Sequence, residues 1–245
     1  MFSNKQAFSN TSSNLQDPYW PLVVFFHKFD GTYSDQTENN VTITPRVYSV
    51  ISTSTYKWGT GSITSIDPSP TFNLGRGWIF DIGTSYEGMG VGLNNYTFEC
   101  WWYHTPDTSP KNKCILKILG NDLFYLYRNP SNTLFYPARQ DTSSNIDIAN
   151  TLSVPYDQWS HICWTRSGGT CWMGVNGVLQ QVRTNDTYNM LVDTVIEQNA
   201  PRYGWFADAN FASTRGFIDS GRFTANVARY TGSSYIVPTS DFPVG

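Results

Sequence analysis

The chain has 245 residues, of which 40% are hydrophobic, 16% aromatic and only 14% charged, and its net charge is -3 at pH 7. That length suits one large all-β domain or two small domains. Weak negative charge without a basic block excludes the electrostatic footprint of a nucleic-acid binder, and the longest apolar run, Leu22 to Phe26, falls far short of the roughly 20 residues that span a bilayer.

Residues 1–16 are polar, rich in Ser and Asn, and show no periodicity. Alone such a segment is disordered, so it reads as an N-terminal arm that orders when it docks on a partner subunit or a larger assembly. It contains no apolar h-region, so no secretory signal is expected. Sequons at Asn10, Asn40, Asn95 and Asn185 then reflect the abundance of Asn, Ser and Thr.

Strand signals dominate after the arm. Leu22 to Phe26 is a continuous apolar run, expected to be covered on both faces, and Asp30-Gly31 marks a turn. Short β-branched or aromatic segments follow at Val47 to Ser52, Trp58 to Ile63 and Trp78 to Ile82. The run YTFECWWYH, Tyr96 to His104, is the strongest strand. Alternation puts Tyr96, Phe98, Cys100 and Trp102 on one face and Thr97, Glu99, Trp101 and Tyr103 on the other. Cys114 to Leu119 and Leu123 to Tyr127 flank the hairpin signal Gly120-Asn121-Asp122, and Asn132 to Tyr136 comes next. Trp159 to Thr165 and Thr170 to Val175 flank Ser167-Gly168-Gly169, and Asn176-Gly177 turns the chain into Val178 to Val182, making a meander. Trp205-Phe206 and Gly216 to Thr224 close the set. Only Thr224 to Tyr230 has a short helical pattern. Many short strands with regular turns imply a single sandwich or barrel over residues 17–245.

The cysteines are Cys100, Cys114, Cys163 and Cys171, with no CxxC pair. A zinc knuckle is therefore not expected. Cys100 and Cys163 lie inside apolar strand patterns, where Cys behaves as a small buried hydrophobe, so free thiols are expected.

The order of segments FHKFDGT, STYKWGTGSI, YTFECWWY, WSHICWTRSGGTCWMGVNGVL and GFIDSGRFTANVARYTG resembles the laminin G-like branch of the concanavalin A-like lectin/glucanase superfamily, in the version common in bacteriophage structural proteins, especially those of marine phages. The resemblance extends from Asp17 to Phe242. Its most specific part is the hairpin from Trp159 through Gly168-Gly169 to Asn176-Gly177, followed by Gly216 to Tyr230. It implies an all-β jelly roll of two curved antiparallel sheets, with the last strand pairing beside the first. It also implies that the arginine- and aromatic-rich tail packs across the end of the sandwich. Phe217 and Phe223 would then be core or sheet contacts, Asp219 and Arg222 polar partners near the closing edge, and the last strand would seal an edge that otherwise invites aggregation. The chain departs from the family at Cys100 and Cys163, where plain apolar or small residues are usual, and at Ser220-Gly221, where an acidic–aliphatic pair is usual.

Enzymatic chemistry finds little support in the residues. A glycosidase needs two carboxyl groups flanking the bond it breaks. The four glutamates, Glu38, Glu87, Glu99 and Glu197, form no cluster. Glu99 reads as an outward strand residue with a cross-strand partner. His161 and Cys163 share a strand face, but this cysteine reads as core filler, because catalytic thiols need a partly exposed, electropositive setting. Fifteen aspartates leave a hard cation as a candidate. Relatives implied by the resemblance bind Ca²⁺, and it brings Asp30 and Asp219 on the first and last strands together; the plainer alternative has Asp30 capping its turn and Asp219 paired with an arginine. Trp101, Tyr103 and Trp172 are the candidate glycan platform. The expected role is a non-enzymatic virion protein made in the host cytoplasm, present as a homo-oligomer or in many copies and docked on capsid or tail proteins by its arm. The alternative is a host-glycan-binding receptor protein, and a polysaccharide depolymerase ranks third.

Overall fold

The computed structural model describes residues 16–45, 49–65, 78–81, 91–106, 113–118, 123–128, 135–140, 152–187, 203–205, 212–213 and 216–245. Residues 1–15 of the expected arm at 1–16 and the Gly120-Asn121-Asp122 turn lie outside them.

The strands are β1 (Val23–His27), β2 (Thr42–Thr44), β3 (Ser49–Ser52), β4 (Ser62–Ser65), β5 (Trp78–Asp81), β6 (Tyr96–His104), β7 (Lys113–Ile118), β8 (Leu123–Arg128), β9 (Phe135–Gln140), β10 (Trp159–Ser167), β11 (Thr170–Val175), β12 (Val178–Arg183), β13 (Tyr203–Trp205), β14 (Ala212–Ser213) and β15 (Gly216–Ala225). They form two sheets. The larger runs β12-β11-β10-β6-β15-β4-β3, with β1 also on β15; the other runs β2-β5-β13-β7-β8-β9, with β14 on β7. Pairing is antiparallel except for the short β14–β7 contact.

Local chemistry explains the meander. Gly168, Gly169, Asn176 and Gly177 all have positive φ, so both two-residue loops have the mirror-image twist that matches flanking strands. Strand β6 alternates as expected, and Tyr96, Phe98, Cys100 and Trp102 enter the main core with Phe25, Ile162, Trp164, Ile218, Phe223 and Ile43 of the second sheet. This is the inner face. Phe25 and Tyr96 stack on Phe223 at 6.0 and 6.1 Å. Burying each such large side chain contributes roughly 1.5–3 kcal/mol. Cys100, Cys163 and Cys171 are free and buried.

Strand β15 does pair beside β1, but it is no edge. It lies on β6 along one side, and its other side meets β4 at Phe217–Ile218 and β1 at Gly221–Thr224. Ser220, at positive φ, sits in a bulge between Asp219 and Arg222, which splits the strand between its two outer partners. The expected helix at Thr224 to Tyr230 is absent, because β15 continues through Ala225 and the chain then leaves the sheet. The only helix among the described residues is the 3₁₀ turn Trp20–Leu22. The expected strand at Trp58 to Ile63 starts only at Ser62 and runs on to Ser65 as β4, since Gly59 has positive φ and a Cβ there would run into the Asp30 carboxylate.

Residues 226–245 carry no strand of their own and cross the outer face of the larger sheet as a strap. Leu179 N–H donates to Ser233 O at 3.0 Å and Tyr235 N–H to Gly177 O at 2.9 Å. The strap therefore covers the start of the β12 edge, the protection expected of β15. A second apolar cluster lies beneath it: Val23, Phe26, Trp101 and Phe242, with Trp20, Trp58, Trp159 and Val237 against them.

Candidate binding surface

Register arranges the outer face in rows across β10, β6 and β15. One row is Thr165, Thr97 and Thr224; the next is Cys163, Glu99 and Arg222, extended to Phe26 on β1; then come His161, Trp101 and Asp219; the last is Trp159, Tyr103 and Phe217. The strap lies over the first three rows.

The second row is ionic. Glu99 is 0% exposed, and Asp17 only 3%. Glu99 Oε1 accepts Arg222 Nε at 3.0 Å and Nη2 at 2.7 Å, while Oε2 accepts the Tyr230 hydroxyl at 2.6 Å and His161 Nε2 at 3.2 Å. Arg222 Nη1 donates to Asp17 Oδ2 at 2.7 Å, and Arg229 grips both Asp17 oxygens at 3.0 and 2.7 Å. The Phe242 ring caps the Arg222 guanidinium at 4.1 Å. His161 Nδ1 lies 2.8 Å from the Tyr235 hydroxyl. Burial pushes the Glu99 carboxyl upward, but Arg222, His161 and Arg229 outweigh it and hold the group well below the usual carboxylate range. Burial and Glu99 push the Tyr230 hydroxyl well above its ordinary value. Each Glu99 oxygen is thus saturated by charged or neutral donors, and no water or substrate can reach it. Burial, together with Glu99, also raises the Cys163 thiol well above its ordinary value, the opposite of an activated nucleophile.

Asp219 does not pair with an arginine. Its Oδ2 accepts the backbone N–H groups of Lys57 and Trp58 at 2.7 and 2.9 Å, because the bulge leaves a gap between β4 and β1 that the 55–61 loop fills. Arg222, one register pair further, is taken by Glu99. Asp30 reaches the same loop, accepting the Thr60 N–H and hydroxyl. The expected pair therefore meets one loop, but its oxygens face protons, and no group of three His, Cys, Asp or Glu suited to a metal occurs among the described residues. That arrangement does not fit Ca²⁺, which takes six to eight oxygens.

Burial pushes the Asp219 carboxyl up to about 7, against the pull of the two N–H donors. A folded-state value above the unfolded one, about 3.9, adds stability at low pH that is lost as pH rises to about 7. Asp219→Asn should fold, since its amide oxygen can accept the same N–H groups. Its urea midpoint should fall less between pH 5 and pH 8 than that of the native chain. Equal pH slopes for the two proteins would refute the assignment.

Beyond the strap, the fourth row remains half-buried. Trp159, Tyr103 and Phe217 lie side by side on three adjacent strands, with Tyr103 edge-on to Trp159 at 5.6 Å and to Phe217 at 5.9 Å. Trp58 adds a further half-buried ring, edge-on to Trp101 at 6.0 Å. Lys57 Nζ sits 4.4 Å from the Trp101 ring centre and 5.0 Å from that of Trp58. These side chains form an aromatic surface with one cation at its margin.

Of the residues expected to form a glycan platform, Tyr103 belongs to this surface. Trp101 is its floor, only 4% exposed. Trp172 pairs with Thr165, in the Thr97 row, six residues along β6 from Tyr103, or about 20 Å at the strand rise. Trp159, Phe217 and Trp58 complete the surface although none was expected in the platform, and Phe217, expected as a core or sheet contact, is half-buried on the outer face. Strand alternation could have found Trp159 and Phe217, since both register opposite Tyr103.

Two antiparallel sheets, a last strand set against the first and an outer face closed by the chain's end define a concanavalin A-like jelly roll. The chain belongs to the concanavalin A-like lectin/glucanases superfamily, whose laminin G type 3 family model matches residues 84–226. No curated protein matches it. Domain 4 of AbnA, a GH43 extracellular arabinanase from Geobacillus stearothermophilus solved with arabinotriose, is similar in structure at 14% identity and TM-score 0.59, over 87% of this chain and 94% of that one. The binding domain of Botulinum neurotoxin serotype D is similar at 14% identity and TM-score 0.57, over 83% of this chain and 47% of that one. Trypanosoma rangeli sialidase follows at 11% identity and TM-score 0.55, over 86% of this chain and 31% of that one. The chain spans about half of the toxin domain and a third of the sialidase, and at these identities the likeness is one of fold.

Proposed function

We propose that the chain is a non-enzymatic surface module of a bacteriophage virion, a decoration, cement or appendage domain present in many copies and docked on capsid or tail proteins through residues 1–16. The observation that carries the non-enzymatic part is Glu99: this glutamate on the central strand β6 has both carboxylate oxygens occupied and none exposed. What supports a docking role for the arm is its position ahead of Asp17, which is tied to Arg222 and Arg229, so a pull on the arm is taken up by the buried cluster. Deleting residues 1–16 leaves Asp17 in place. The shortened chain should keep its unfolding midpoint and be missing from purified particles by mass spectrometry; full occupancy would overturn the docking role.

A second reading, binding of host-surface polysaccharide, is favoured by the Trp159, Tyr103, Phe217 and Trp58 surface. The arabinotriose held by the arabinanase domain of similar fold agrees with it. Sugar rings present apolar C–H faces that aromatic side chains cover well. A glycan-array assay with and without Ca²⁺ tests this reading. Saturable binding would put it first, and calcium dependence would call for cation ligands other than Asp30 and Asp219, whose oxygens accept protons of the 55–61 loop.

A further inference from the structure

We infer that the aromatic surface beside β10, β6 and β15 takes an acidic sugar, a hexuronate unit of a polysaccharide, with Lys57 holding its carboxylate; this rests on the polysaccharide-binding reading above. The first observation is the unpaired cation. Lys57 is half-buried, makes no ion pair among the described residues, and has its ammonium over two indole faces. Its own backbone N–H is what Asp219 accepts, so that carboxyl anchors the lysine's backbone while the ammonium is left to the rings. Such a cation–π contact is favourable, and an arriving carboxylate adds to it without displacing an ion pair to any described residue.

The second observation is a surplus of donors. The Nε1 groups of Trp58 and Trp101 are buried without an acceptor, and a buried N–H without a partner costs free energy. The site therefore offers a ligand apolar ring faces and one cation, its two N–H groups being buried, and no carboxylate among the described residues meets the ammonium. A ligand that fits has a flat apolar face and an anionic acceptor at its edge, which describes a hexuronate. Neutral sugars would use the rings and leave Lys57 idle. Densely charged polyanions need clusters of basic residues, whereas this surface carries one lysine on a chain of net charge -3.

The test is calorimetric titration of the full chain with polygalacturonate and with the same polymer after carboxyl reduction, repeated for Lys57→Ala and Lys57→Arg. The proposal expects binding to the acidic polymer, loss of about tenfold in affinity both on reduction and in Lys57→Ala, recovery in Lys57→Arg, and weakening with added salt. Thermal unfolding should show every variant folded, with the midpoint of Lys57→Ala lowered only modestly by the lost ring contacts, because the ammonium makes no ion pair among the described residues. Equal binding of acidic and reduced polymers, unchanged by Lys57→Ala, would overturn the acidic-sugar assignment and keep the polysaccharide reading. Failure to bind either polymer, with neutral glycans bound on the array, would also overturn it. No binding to any glycan would remove both.

Discussion

Replacing Arg222 with methionine should cost about 3–5 kcal/mol of stability, read as a fall in the urea midpoint at pH 7, because it strands buried charge. Glu99 would lose both donors to Oε1 and Asp17 one of the donors to Oδ2, and Phe242 would lose the cation over its ring. Arg229 cannot substitute, since its Nε stands 3.7 Å from Glu99 and its own fork is committed to Asp17. Removing both charges together is a different matter. Arg222→Met with Glu99→Leu should cost less than Arg222→Met alone, since Asp17 keeps Arg229 and no bare carboxylate remains.

Acid gives an independent check with a definite sign. In the native chain the Glu99 carboxyl is held low, so its contribution is present above the unfolded value of about 4.3 and lost only as pH falls through the folded one. Without Arg222 the buried carboxyl rises instead. The deficit of Arg222→Met relative to the native chain should then shrink as pH is lowered from 7 to 5, because protonation relieves the stranded charge. A deficit under 1 kcal/mol at pH 7, or one that grows on acidification, would show that the cluster is not held as described.

The same residues show what a sequence can disclose. The hairpins at Gly168-Gly169 and Asn176-Gly177 were legible because turn chemistry is local, and β6 was legible because its alternation is strict. Glu99 was readable as a strand residue with a cross-strand partner, and register supplies one in Arg222. Its burial was not readable, because alternation assigns a face without saying what lies over it. The cover comes from Tyr230, 131 residues away along the chain. Trp101 was misplaced as a solvent-side residue for the same reason. Trp172 was grouped with Tyr103 because both fall on outer positions, whereas their separation depends on pairing across β10 and β11. The aromatic surface was half legible: Tyr103 was named, but Trp159 and Phe217 join it only once three strands are in register. The arginine- and aromatic-rich tail looked like an edge seal because nothing in it shows that β15 runs through the middle of the sheet.

Ending the chain at Ala225 should abolish cooperative folding. The deletion keeps every strand and removes only the strap, so a fold that depended on its sheets alone would survive it. The strap supplies Arg229 to Asp17, Tyr230 to Glu99 and Tyr235 to His161, and it brings Phe242 and Val237 to the second apolar cluster. Without it, a saturated carboxylate loses a neutral donor, and Phe26 and Trp101 are bared to water on a surface that also contains Glu99, Arg222 and His161. Lost apolar burial at roughly 1.5–3 kcal/mol per large side chain adds to the stranded polar groups and exceeds much of the 5–15 kcal/mol by which domains are stable. The shortened chain should therefore bind 1-anilinonaphthalene-8-sulfonate and unfold in urea without a sigmoidal transition. Ending instead at Val237 removes Asp241 and Phe242 but keeps Arg229, Tyr230 and Tyr235, and should leave a cooperative transition at a lower midpoint. The order of assembly follows from the same contacts. Asp17 meets Arg222 and Arg229 across sequence separations of 205 and 212 residues, and closing such distant contacts is slow. The ionic row on β6 is satisfied only after the last strand and the strap have arrived, so the sheets must form around charges that are neutralised last. A shortened chain that unfolded cooperatively at the native midpoint would show that the sheets alone suffice and that the strap is incidental.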